Sequence, residues 1–297
     1  MRQLFLSLIL LVGFSASIIA QETEAPKEGW TRGGTFGLTL NQSSFSNWVA
    51  GGDNAISGSA LVNYDANLLS GDWTWDNKLI LAYGLTNTKS NGTIKTDDRF
   101  EFNSLAGKQA SDNWYYSAFL GFLTQFTNGY DYVSDPNQNY QTSGLFAPAY
   151  LSFGPGMLWK KSDNLKVNIA PATVKLTFLG SEVFTFDKDN NTWLSSNNVK
   201  SFGIDPGESL RFELGLNIGA YYKVDLMKNI SMENILNLYS NYLDQPDHID
   251  INHQLSLVMQ VNKYISANLM LNTIYDHDML TDVQFKEVFG VGFNYTF

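Results

Sequence analysis

The chain has 297 residues, no cysteine and a formal net charge of −10, with 29 acidic against 19 basic side chains. It can hold neither a disulfide nor a thiolate metal site, and its charge argues against a nucleic-acid backbone as partner. Only 16% of residues are charged, well below the roughly 25% of a soluble domain, while 14% are aromatic, so much of the outer surface is predicted not to face water.

The first twenty residues carry Arg2, an apolar run over 4–12 and small residues up to Ala20. That is the pattern of a cleaved secretory leader, followed by a short polar periplasmic segment over 21–29. No later run reaches the roughly 18 apolar residues of a membrane helix. A chain can still cross a membrane by pairing strands into a closed barrel.

Alternation with a period of two recurs along the remaining chain. Twelve strands are predicted, near 30–41, 55–69, 73–87, 96–108, 113–127, 148–160, 164–179, 208–225, 229–242, 247–262, 265–276 and 283–297. The clearest is 210–224, where Leu210, Phe212, Leu214, Leu216, Ile218, Ala220, Tyr222 and Val224 share one face. Arg211, Glu213, Gly215, Asn217, Gly219, Tyr221 and Lys223 share the other. Pro171 cannot donate to a ladder and predicts a bulge or strand edge in its segment. The fold expected is all-β, a single antiparallel transmembrane barrel over 30–297.

Connections alternate in length. Short turns fall near 70–72, 110–112, 161–163, 227–229 and 262–263. Long linkers fall near 42–54, 87–96, 128–147, 180–207, 243–247 and 277–282. Short periplasmic turns and long external loops are the outer-membrane arrangement. Trp30, Trp73, Trp75, Trp114 and Trp159 all lie beside the short-turn ends, as an interfacial aromatic girdle requires. The last segment places Phe285, Phe289, Val291, Phe293, Tyr295 and the terminal Phe297 on one face, interrupted by Glu287. Such an ending resembles the β-signal through which outer-membrane proteins engage the barrel-assembly machinery.

The stretch Asn47-Trp48-Val49-Ala50-Gly51-Gly52-Asp53-Asn54, with Gly29-Trp30 before it, carries a second resemblance. It is similar to a family of Bacteroidota outer-membrane proteins known only as a domain of unknown function. The resemblance implies a barrel in that phylum's outer membrane and no activity. Gly51-Gly52 beside Asp53 and Asn54 suits a tight turn anchored by Trp48.

Candidate chemistry is sparse. Asp247-His248 and Asp276-His277-Asp278 fall at external strand ends, where an Asp-oriented imidazole could act as a base, in the manner of rim hydrolases of the omptin type. His253 takes the outward register of its strand, and its nearest serine, Ser256, takes the opposite one, which breaks a His–Ser dyad. Asp187-Lys188-Asp189-Asn190-Asn191 starts like a calcium loop but has Thr192 where glycine and Lys200 where glutamate is needed. The inward set Asp65, Asp76, Lys78, Lys166, Lys175, Arg211, Glu213, Lys223 and Asp250 mixes both signs, which favours ion-pair networks filling the lumen over an open selective pore. No catalytic residue, metal ligand or cofactor is assigned. The expected role is a non-enzymatic outer-membrane barrel, a scaffold or subunit of an envelope assembly. Its partners are expected to be outer-membrane lipid, the assembly machinery and other envelope proteins. The alternatives are a small-solute pore and, after it, a rim hydrolase.

Overall fold

A computed structural model describes residues 28–44, 54–90 and 92–297. The predicted leader and the part of the turn motif from Asn47 to Asp53 lie outside these residues. The chain forms a closed antiparallel barrel of twelve strands. They are β1 (Gly29–Ser43), β2 (Ala55–Ser70), β3 (Trp73–Thr88), β4 (Gly92–Ser111), β5 (Trp114–Thr124), β8 (Ala149–Ser162), β9 (Leu165–Phe178), β12 (Leu210–Met227), β13 (Ile230–Asn241), β14 (Ile249–Gln260), β15 (Ile265–Asp276) and β16 (Leu280–Thr296). Each of the twelve predicted segments coincides with one of these strands.

Two hairpins within the long loops were not predicted: β6 (Gly129–Tyr130) with β7 (Gln141–Ser143), and β10 (Phe184–Asp187) with β11 (Thr192–Ser195). Their strands are too short to show alternation. Contacts between the loops hold them. Tyr140 stacks on Trp193 at 4.8 Å, and Ala147, Leu179, Val183 and Ile204 form a small buried cluster at the long-loop end.

Burial is inverted relative to a soluble protein. Glu213 is 1% and Asp76 6% exposed, whereas Phe285, Phe289 and Phe212 are 61%, 59% and 56% exposed. Cross-strand registers align the outward rows. Trp30 pairs with Leu68, Leu68 with Trp75, and Trp114 with Trp159. The tryptophans near the short turns therefore form a rim, and Trp30 meets Trp75 at 5.7 Å. A second aromatic cluster, Phe100, Phe122, Phe126 and Phe146, lies toward the long loops with centroids 5.8–6.3 Å apart. The bulge expected at Pro171 is present. Between Gly215/Thr173 and Asn217/Ala170, β9 carries one residue more than β12, which leaves Pro171 free of a ladder bond.

The ring closes through a short seam. β1 and β2 pair over fifteen positions, but β1 and β16 pair over only five, from Thr35↔Thr296 to Thr39↔Gly292. The terminal Phe297 extends this seam by exchanging two backbone hydrogen bonds with Gly34, at 2.9 and 3.0 Å. Its ring lies 6.4 Å from Tyr64 and 6.1 Å from Tyr295. A Cβ on Gly34 would stand 2.9 Å from the Phe297 ring and 2.5 Å from the Asn63 carbonyl, so only glycine lets the terminus seat. Deleting Phe297, or making Gly34→Val, is expected to lower the yield of barrel with heat-modifiable gel mobility sharply. Unchanged yield in both variants would show that the seam closes without the terminal residue.

Candidate functional site

The charged side chains facing the lumen form pairs at successive levels. Nearest the short turns, Asp76 of β3 receives Lys160 of β8 at 3.2 Å and Lys166 of β9 at 2.6 Å. Lys160 also reaches Asp163 at 2.9 Å and donates to the Thr74 hydroxyl at 2.8 Å. The next level joins opposite walls. Lys78 of β3 contacts Asp65 at 3.3 Å on the adjacent strand and Glu233 of β13 at 3.1 Å. β3 and β13 stand six places apart in the ring of twelve. Arg99 of β4 binds Glu101 beside it and the Gln254 amide oxygen of β14, also six places away. The Tyr221 hydroxyl donates to Glu233 at 3.0 Å, and the Lys166 ammonium lies 5.1 Å from the Tyr221 ring centre.

Toward the long loops, Lys175 of β9 collects three carboxylates: Asp250 at 3.0 Å, Glu213 at 3.7 Å and Asp276 at 3.9 Å. Arg211 bridges Glu213 at 3.4 Å and Asp278 at 2.7 Å. Lys286 of β16 reaches Asp97 of β4 at 2.7 Å, four strands away. Apart from Asp65, Asp163 and Lys286, these side chains are largely shielded from water, and the lysines and arginines are long enough to cross. Opposite charges at 3–4 Å in a partly dry interior attract far more strongly than in bulk solvent.

Eight of the nine inward residues singled out from the sequence belong to this network. Lys223 faces the lumen but carries no ion pair among the described residues. Arg99, Glu101, Lys160, Glu233, Lys286 and Asp97 were not singled out, and Asp276 was named only as a neighbour of His277. Their signal was present, since each is a charge within or at the edge of a predicted strand, and Arg99 and Glu101 share the parity of Asn103. Which charge meets which is not written in parity, because the partners come from distant strands.

The two Asp-His elements do converge. The rings of His248 and His277 lie 4.2 Å apart, at a small cavity bordered by Asp244, Asp250 and Asp278. Among the described residues Asn241 and Gln245 complete its border, and Asp278 is engaged by Arg211 while Asp250 is engaged by Lys175. His253 faces outward between Leu236 and Thr273, and its Nε2 lies 3.4 Å from the side-chain oxygen of Asn234. Ser256 faces inward with Gln254. Glu287 stands outward opposite Leu271, without an ion pair among the described residues. The Asp187 carboxylate accepts from Asp189 N, Asn190 N and the Asn190 amide, which shapes the β10–β11 turn. The Asn190 bonds hold this carboxyl below its ordinary range. Among the described residues no group of three His, Asp or Glu side chains is arranged to hold a metal ion.

Fold and site together define a closed antiparallel barrel with an apolar exterior and an ion-paired interior. A family model described as "Protein of unknown function (DUF3078)" matches residues 40–130. No curated protein matches the chain in sequence. Among solved structures, the chain is similar to an outer membrane channel from Pseudomonas putida F1, with 12% identity, 94% of this chain and 99% of that chain covered, and a TM-score of 0.40. It is also similar to the β domain of the Bordetella autotransporter BrkA, with 11% identity, coverage of 91% and 100%, and a TM-score of 0.33. The translocator domain of the autotransporter NalP from Neisseria meningitidis shares 11% identity, with coverage of 99% and 96% and a TM-score of 0.33.

Lys175→Ala leaves Asp250 and Asp276 without their cation beside Glu213, which keeps only Arg211. Removing one partner of a buried ion network costs about 3–5 kcal/mol, so the unfolding midpoint in urea, read by gel mobility, is expected to fall. A midpoint equal to that of the wild type would show that these acids need no shared counter-charge.

Proposed function

We propose that this chain is an integral barrel of a bacterial outer membrane whose closed lumen makes it a scaffold within an envelope assembly rather than a conduit. The observation that carries the reading is the pair of cross-lumen contacts, Lys78–Glu233 and Arg99–Gln254, each joining opposite walls of the ring. An ion-paired wall-to-wall strut stiffens a barrel and occupies the path that a solute would need.

Placement in the outer membrane rests on physical fit. The outward strand faces are apolar, and tryptophans border the short-turn end at 41–51% exposure for Trp30, Trp73, Trp75 and Trp114. A closed ring has no strand edge to leave unpaired in hydrocarbon. Export by a cleaved leader over 1–20 and recognition of the C-terminal strand by the assembly machinery complete the route. The partners proposed are outer-membrane lipid and other envelope proteins, with no nucleic acid. Catalysis is not part of the reading, because the carboxylates beside His248 and His277 are already committed, Asp278 to Arg211 and Asp250 to Lys175.

A small-solute pore is the second reading. A lumen cavity of about 270 Å³ at the short-turn end favours it, because part of the path is already open.

Reconstitution into planar bilayers separates the two. The closed barrel is expected to show little or no steady conductance, and the double variant Lys78→Ala, Arg99→Ala is expected to raise it. Large ohmic channels in the wild type would overturn the closed reading. Purification in mild detergent from native membranes is expected to bring stoichiometric envelope proteins with the barrel, and recovery of the barrel alone would remove the scaffold role.

A further inference from the structure

The lumen is not filled evenly. On the short-turn side of the wall-to-wall contacts lies the cavity of about 270 Å³, which reaches Asp163 and Asn164 of the β8–β9 turn and so communicates with that end of the barrel. Its volume approaches the roughly 300 Å³ at which small-molecule pockets begin.

The charges on its wall are already matched, except for Lys223 at the edge. Asp65 holds Lys78, and Asp76 holds Lys160 and Lys166. A charged ligand would have to break such pairs or enter beside them. The amides differ. Asn217 of β12 and Asn237 of β13 border the cavity, and neither side chain has a hydrogen-bond partner among the described residues. Gly219, which pairs directly with Asn237, stands between them. A Cβ at Gly219 would lie 3.3 Å from the side-chain oxygen of Asn237 and 3.9 Å from that of Asn217. The glycine therefore leaves a slot flanked by two amides, each with two donors and one acceptor oxygen. Tyr221, held through its hydroxyl by Glu233, and Ile235 give the same cavity apolar wall. Alternating donors and acceptors beside apolar wall suit a molecule with hydroxyls around a carbon ring.

We propose that this cavity binds one neutral, polyhydroxylated ligand of monosaccharide size, approached from the short-turn end, with Asn217 and Asn237 as its hydrogen-bonding groups. The proposal stands whether or not the lumen conducts, since the cavity lies to one side of the contacts that close it. Lys223, exposed at the cavity edge without an ion pair among the described residues, is the group that would favour an anion instead.

The test is calorimetric titration of the purified full barrel in detergent with D-glucose, D-galactose and N-acetyl-D-glucosamine. D-glucuronate and D-glucose 6-phosphate form the charged arm. At least one neutral sugar is expected to bind in the millimolar range and more tightly than the charged sugars. Gly219→Val fills the slot, and Asn237→Ala removes an amide without adding volume. Each is expected to weaken binding about tenfold, the loss of one well-placed hydrogen bond, with heat-modifiable mobility retained. Should Gly219→Val not assemble, Asn237→Ala decides. No binding by any neutral sugar, tighter binding of a charged one, or wild-type affinity in Asn237→Ala would each overturn the assignment.

Discussion

Every strand of this barrel must pair its backbone on both sides, and that requirement organises the rest. A sheet with an open edge in an apolar environment leaves a row of N–H and C=O groups unsatisfied, at several kcal/mol for each group in hydrocarbon. Closing the ring removes both edges at once, but the two strands that meet are the first and the last. Their ladder is the shortest in the barrel, five positions from Thr35 to Thr39. The terminal residue and a glycine that can tolerate its ring lengthen it by one pair at Gly34 and Phe297. The aromatic ending of the chain thus has a mechanical role in closure, independent of any role as a recognition signal.

Closure also decides where charge goes. With the outward positions given to Leu, Phe, Val and Trp, the alternate positions of every strand face a narrow interior. Ions there lose most of their hydration, and the idealised cost is recovered only when opposite charges meet with good geometry. The lumen satisfies this in layers, with ions shared among several partners: Asp76 by two lysines, Glu213 by Lys175 and Arg211. Sharing makes each layer a network, and it explains why residues from strands on opposite walls come within 3.1 Å. It also explains the remaining space. Where strands present Asn and Gly in place of charged side chains, around Asn217, Gly219 and Asn237, no strut can form and a cavity is left.

The histidines illustrate how the ring brings distant loop residues together. His248 and His277 meet because β14 and β15 are neighbours and their loops emerge side by side. Asp278 and Asp250 beside them are committed to Arg211 and Lys175. His253, facing outward, is accommodated by Asn234 on the adjacent strand, where two polar groups at 3.4 Å partly satisfy each other on an otherwise apolar face.

Strand number, strand boundaries, the inward and outward faces and the bulge at Pro171 were legible in the sequence. These features are local, because a period of two, a proline and the length of a turn are properties of consecutive residues. The sign mixture that argued for a filled lumen was legible for the same reason: parity alone assigns Asp65, Lys78, Arg211 and Glu213 to the interior. The pairing of Lys78 with Glu233, of Arg99 with Gln254 and of Phe297 with Gly34 was decided only in the tertiary structure. Those contacts depend on the stagger and closure of the whole ring, which bring Arg99 to a residue 155 positions away and the last residue back to the first strand. No short-range pattern carries that information. The amide-lined slot belongs to the same category, since it exists only where the register of β12 and β13 sets Gly219 opposite Asn237.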